Sequence, residues 1–129
     1  MTEIRIGKCI TVMKYQNFRF IRIKVFENIA IAEEGYSDHL DSKKYKGRYY
    51  GEGDVQLMSA GSGVLHGEIF PLIHEDKDNP LRLFQIWLNL PSATKITEPH
   101  YKLLWHENIP IAKVGQDVKV KVIFMNTMA

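Results

Sequence analysis

Gly53-Asp54-Val55-Gln56-Leu57-Met58-Ser59-Ala60-Gly61-Ser62-Gly63-Val64-Leu65-His66-Gly67-Glu68 reads as strand, glycine turn, strand. Val55 to Met58 has the composition of a strand. Ala60-Gly61-Ser62-Gly63 is a tight turn, and Val64 to Phe70 is the strand that leaves it. A second turn, Gly51-Glu52-Gly53-Asp54, closes a short strand at Arg48 to Tyr50. Short strands bounded by glycine on both sides are the units of an antiparallel barrel or sandwich.

The same period-two patterning runs outward in both directions. Upstream, Ile4, Ile6 and Ile10 line one side of a first strand, and Phe18 to Phe26 forms a second. The alternation slips between Phe20 and Ile21, which predicts a bulge or kink there. Asn28 to Ala32 continues as strand, Gly35 turns the chain, and Tyr36 to Leu40 begins the next strand. Asp41 to Gly47 is a polar hairpin loop. Downstream, His74 to Pro80 is a charged surface loop. Leu81 to Leu90, the most apolar run, predicts a central strand buried on both faces. Pro91 to Pro99 is a connector, Tyr101 to Trp105 an edge strand, and Asp117 to Phe124 a strand carrying Val118, Val120 and Val122. No long amphipathic helix, repeat or linker interrupts the series. The expected fold class is all-β: an antiparallel β-barrel or jelly roll, one domain over residues 1–129.

Composition narrows the function classes. The chain has 129 residues, 45% hydrophobic and 25% charged, which suits one globular core. A net charge of +2 is too mild to argue for nucleic acid. One cysteine, Cys9, excludes an internal disulfide and a multi-cysteine zinc site, and suits a reducing compartment. The apolar runs are too short and too interrupted by charge for a membrane span, and the start lacks the apolar centre of a signal peptide. The expectation is a cytoplasmic protein with no membrane contact.

His66 and Glu68 are the strongest candidates for chemistry. Residues two apart on a strand share a face, so an imidazole and a carboxylate aim at one point, a donor pair suited to a transition metal. Taken alone, a His-x-Glu pair on a strand is more often a solvated face. His39 and His74 read as solvated, and His100 and His106, on either side of Trp105, as packed or exposed. Arg19, Arg22 and Lys24 read as a solvated strand face. The glycines at 51, 53, 61, 63 and 67 form no phosphate loop, because no Lys-Ser/Thr and no helix follow them.

The run from Gly53 to Glu68 resembles the signature of the pirin family, Gly-Asp-Val-Gln-Trp-Met-Ser/Thr-Ala-Gly-x-Gly-Ile-x-His-x-Glu, with Leu57 in place of the tryptophan. Gln85-Ile86-Trp87-Leu88-Asn89-Leu90 is similar to the family's Gln-Leu-Trp-Val-Asn-Leu. Glu98-Pro99-His100-Tyr101 resembles Glu-Pro-x-Tyr, and Glu107-Asn108-Ile109-Pro110 resembles Glu-Glu-Ile-Pro. Upstream, Phe26-Glu27-Asn28-Ile29 through Glu34-Gly35 also matches. The resemblance covers residues 26–122; residues 1–25 diverge, and the expectation is a single domain without the family's second, C-terminal cupin. It implies a cupin fold with a non-haem iron held by three histidines and one glutamate, and activity of the quercetin 2,3-dioxygenase type.

Two of those ligands carry over, onto His66 and Glu68. The other two come from His-Pro-His-Arg/Lys-Gly-Phe-Glu, which aligns with Ile21-Arg22-Ile23-Lys24-Val25-Phe26-Glu27. Ile21 and Ile23 stand at the ligand positions, and isoleucine binds no metal. Phe20 to Phe26 can be encoded TTC ATC CGC ATA AAG GTT TTT; from its third base that string reads His-Pro-His-Lys-Gly-Phe. A local frameshift and plain divergence both account for the change, and the gene sequence separates them.

The expected function follows: a pirin-like cupin with a degraded site, in which Fe(II) or another divalent metal binds weakly or not at all and catalysis is slight. Gln56 and Gln85 are candidates for the shell behind the ligands, and His39 and His74 for substitute ligands. One alternative is an oxygenase acting on a flavonol-like molecule, its site completed by such substitutes or across a dimer. Another is a non-enzymatic interaction module. A homodimer is expected, with Ile4 to Ile10 and Asp117 to Phe124 available to pair across chains.

Overall fold

The computed structural model describes residues 4–13, 18–43 and 46–123. In chain order the strands are β1 (Ile4–Met13), β2 (Phe18–Ile23), β3 (Phe26–Glu34), β4 (Tyr36–Asp41), β5 (Lys46–Gly51) and β6 (Val55–Ser59). They continue with β7 (Val64–Ile69), β8 (Asn79–Asn89), β9 (His100–Leu104), β10 (Ile111–Val114) and β11 (Val118–Lys121). One 3₁₀ turn, His106–Asn108, is the helical element among the described residues. None of their helices is long and apolar enough to cross a membrane.

The strands pair antiparallel in three sheets, of order β1-β8-β3-β6-β9, β2-β7-β4-β5 and β10-β11. The first two lie face to face, as in a cupin-type barrel. Ala30 and Ala32 of β3, with Leu81 and Leu83 of β8, pack on Tyr50 of β5 in the opposite sheet. A second cluster joins Met58, Ala60 and Tyr101 to Val64 and the half-buried Ile23. Small alanines on β3 let the sheets approach closely enough for this contact. Gly61 holds the turn between β6 and β7 at φ +48°, and a Cβ there would lie 2.2 Å from the Thr97 carbonyl oxygen, so that turn requires glycine.

Three expectations need correction. The slip near Phe20 produces no bulge: β2 pairs with β7 in unbroken register from Phe18↔Ile69 to Ile23↔Val64. The irregularity comes later, where the chain crosses from one sheet to the other at Lys24 and Val25. Val25 sits at φ +63° and donates its N–H to the Gly61 carbonyl at 2.9 Å. A β-branched residue in the left-handed region is strained. The pirin-type motif has glycine at this position. Val25→Gly is therefore expected to raise stability by about 1 kcal/mol, because relief of strain exceeds the added freedom of the unfolded chain. Urea unfolding of the two proteins measures the difference, and a destabilised variant would contradict it.

β8 is interior to its sheet but is not buried throughout. Its inner leucines meet Tyr50, whereas Trp87 packs against the Phe26 ring and stays exposed. The strand expected from Asp117 to Phe124 is shorter, and Phe124 lies outside the described residues. β11 joins no barrel sheet; it pairs with β10, which the sequence pattern did not signal. The two end segments offered for pairing across chains are each paired within the chain on one side, β1 along β8 and β11 along β10, and each lies at the edge of its sheet.

Candidate metal centre

Period two places Val64, His66 and Glu68 on the inner face of β7. Val64 enters the core there, and His66 is 6% exposed. β7 lies between β2 and β4. On one side its register sets Ile21 across from His66 and Ile23 across from Val64. On the other it sets Asp41 across from His66 and His39 across from Glu68. Ser37, His39 and Asp41 occupy alternate positions of β4 and are all buried.

His39 is thus not solvated, as its polar neighbours suggested, but 0% exposed. Its strand does alternate, but the inward residues are polar and the outward ones mixed, so a hydrophobic pattern assigns the faces wrongly. Period two with the Ser-x-His-x-Asp run was the signal that could have found it. His74 stays in the exposed loop after β7, its backbone N–H donating to Asn79 Oδ1 at 2.8 Å. It lines a separate surface cavity with Glu34, Tyr36 and Phe70.

The inward groups are tied together. His39 Nε2 lies 3.0 Å from Asp41 Oδ2. An ionised carboxylate only accepts, so the imidazole donates. The His39 ring stacks on Tyr101 at 4.8 Å between centroids and on His66 at 5.6 Å. Tyr50 donates its hydroxyl to Glu68 Oε1 at 2.9 Å. Burial, with the Glu68 carboxylate, pushes the Tyr50 phenol well above its ordinary range, so it stays a donor. Burial raises Glu68, against the Tyr50 hydrogen bond and the nearby His39. Burial, together with His39, lowers His66 to about 4, against the pull of Asp41. At neutral pH His66 is therefore a neutral imidazole, the form that binds metal.

These donors fit a divalent cation in part. The Nδ1 atoms of His39 and His66 are buried without a protein partner, which marks a place for a ligand or water. Yet Ile21 stands in the His66 row, and its side chain, 54% exposed on the edge strand β2, offers no donor. Behind the site, Gln56 is fully buried with both amide atoms unpartnered. Ala30 lies between Gln56 and Gln85 in adjacent registers, which puts both glutamines on the inner face. Gln85 accepts from the Trp87 indole at 3.4 Å.

A second group escaped the sequence reading. Asp54, His106 and Glu107 place ligand-type atoms within 4.8 Å of one another. Asp54 Oδ1 already accepts the His106 N–H at 2.8 Å and lies 3.2 Å from its Nδ1, while Oδ2 accepts the Gly51 N–H at 3.0 Å. The Lys121 ammonium approaches the Gly53 carbonyl at 3.3 Å. With its oxygens bound to N–H groups and a cation nearby, this group reads as a clasp between the β5–β6 turn and the 3₁₀ turn.

Known proteins match this sequence and this fold. The Pirin family model matches residues 11–88, a match that begins upstream of Phe26. Pirin-1 of Arabidopsis thaliana is 44% identical over 103 residues, covering 80% of this chain and 33% of that protein. A solved quercetin 2,3-dioxygenase from Acinetobacter baumannii superposes with a TM-score of 0.73 at 28% identity, over 88% of this chain and 40% of that one. YhhW from Escherichia coli, solved in complex with nickel(II), gives a TM-score of 0.62 at 30% identity, over 77% and 39%. The chain spans about a third of the length of the curated relative it matches. The run from Gly53 to Glu68, the barrel that carries it and the family match agree: the chain belongs to the pirin family.

Proposed function

We propose that this chain is a metal-binding cupin module in which His66 and Glu68 hold a divalent cation with reduced affinity, and in which oxygenase turnover is slight or nil. The observation that carries this reading is the β2–β7 register, which sets Ile21 opposite His66 where the family's motif has a ligand. A bound metal would supply a centre at which dioxygen and a deprotonated phenol meet. This chain's own residues orient and shield: Tyr50 fixes the Glu68 carboxyl, and the inward rings of Tyr101 and His39 exclude water. Fe(II) is the cation implied by the family resemblance. Nickel(II), present in the YhhW complex, is a practical probe. A flavonol-type substrate is proposed by likeness to the Acinetobacter enzyme. The second reading, an active oxygenase with a substitute ligand, is favoured by one observation, the buried position of His39.

Calorimetric titration with Ni(II) tests the proposal. The unmodified chain is expected to bind weakly and lose the metal on dialysis. His66→Ala is expected to lower the affinity at least ~10-fold further. Tight one-to-one binding by the unmodified chain would overturn the reduced-affinity reading.

A further inference from the structure

We infer that the outer face of the β1-β8-β3-β6-β9 sheet carries a second site, separate from the metal centre, that binds a small amphipathic carboxylate: an apolar chain or ring with one anionic end.

The alternation that turns Ala30 and Gln56 inward turns Ile29 and Leu57 outward. Strand register then lays two rows across that outer face. One runs Ile86, Ile29, Leu57 and Lys102; the row beside it runs Leu88, Glu27, Ser59 and His100. Part of this face is covered. Ile109 and Ile123, from the chain after β9, pack with Ile29 and Val55, leaving Val55 0% and Ile109 5% exposed. Neither covering residue lines the cavity that opens beside them. That cavity, of about 270 Å³, is lined by the apolar Ile29, Leu57 and Leu88 and by the polar Glu27, Ser59, His100 and Lys102. Its size lies at the small end for ligand cavities, which begin near roughly 300 Å³. Leu57 adds to the space, because the pirin-type motif has tryptophan at this position and an indole would occupy room that leucine leaves.

The polar groups decide which ligand fits. Lys102 and His100 both lie on β9, at the edge of the sheet, and among the described residues neither side chain has an ion pair or hydrogen bond. An ammonium and a ring N–H are donors suited to a carboxylate. Glu27, the one carboxylate in the lining, lies on β3 with Ser59 between it and β9, and it accepts the Ser59 hydroxyl at 2.7 Å. The anionic end of a ligand therefore belongs on the β9 side. Its apolar part then crosses Leu57 and Ile29 toward Leu88, a path of roughly 14 Å from β9 to β8 at ordinary strand spacing. Burial of the apolar part supplies most of the affinity, and the exposed ion pair adds a modest preference for the acid.

Octanoate is the probe. Titrated into the full chain with ¹³C-labelled isoleucine and leucine methyls, it is expected to shift Ile29, Leu57 and Leu88 saturably, while Ile23, on the inner face, stays in place. Octan-1-ol, which has the chain without the charge, is expected to bind roughly 5-fold more weakly, and Lys102→Gln is expected to bring octanoate down to the level of the alcohol. Leu57→Trp is expected to abolish the shifts at Ile29 and Leu88. Octanoate that leaves these methyls unmoved overturns the inference, and so does equal binding of the acid and the alcohol by the unmodified chain. Shifts that persist in a folded Leu57→Trp protein would put the ligand elsewhere. Shifts of the same methyls on dilution of the ligand-free protein, with no response to octanoate, would show that a second copy of the chain covers this face instead.

Discussion

Ile21→His together with Ile23→His is expected to tighten Ni(II) binding about 100-fold, taking at least ~10-fold for each restored ligand. The two positions are not equivalent. Ile21 is 54% exposed, so an imidazole there displaces little buried apolar surface, and it faces His66 directly across the strand pair. Ile23 is half-buried against Met58, Ala60, Val64 and Tyr101. Replacing it exposes part of that cluster and costs about 1 kcal/mol in the metal-free protein. The double variant should therefore be less stable than the parent without metal and more stable with it, since binding to the folded state adds to its stability. Calorimetric affinity, with unfolding measured with and without Ni(II), checks both halves. An Ile21→His protein that folds normally but binds no tighter would show that β2 does not present this position to the cation.

The second large effect is on pH dependence. In the chelator-treated protein, His66→Gln is expected to flatten a loss of stability between about pH 6.5 and 4. Burial lowers the folded-state value of His66 from 6.5 to about 4. A group depressed on folding contributes fully above its unfolded value, and that contribution is lost as pH falls through the folded value. The full shift corresponds to about 3 kcal/mol, and solvent access near the ring trims it to about 2 kcal/mol. Glu68, raised by burial, acts in the opposite sense: its protonation at low pH relieves the cost of a buried charge. The comparison is therefore the difference between parent and His66→Gln, both carrying Glu68. Urea unfolding at pH 7, 5.5 and 4.5 measures it. Parallel pH profiles for the two proteins would show that His66 is not a buried neutral base.

Val25 bears on the two isoleucines that stand where the family's motif has histidine. A valine at φ +63° stands where the family's motif has glycine, in the same short stretch where isoleucines replace histidines. One shifted reading of that stretch restores both histidines and the glycine together. Sequencing the gene across Phe20 to Phe26 decides between a frameshift and independent changes.

What the sequence determined by itself was the strand series and one pair of candidate ligands. Glycine turns and period-two runs are local, so β6, the Gly61 turn and β7 were legible from residues that are neighbours in the chain. His66 and Glu68 share a face through the same geometry and needed no tertiary knowledge. The tertiary structure alone decided which strands flank β7. Pairing β4 with it turned the polar run Ser37, His39 and Asp41 inward, against the rule that polar residues face water. Pairing β2 with it put Ile21 across from His66, and the same fold drew Asp54 to His106 over fifty-two positions of chain. Such contacts depend on which strands close the barrel. Strand pairing is set by the summed burial of both sheets, which no single segment encodes.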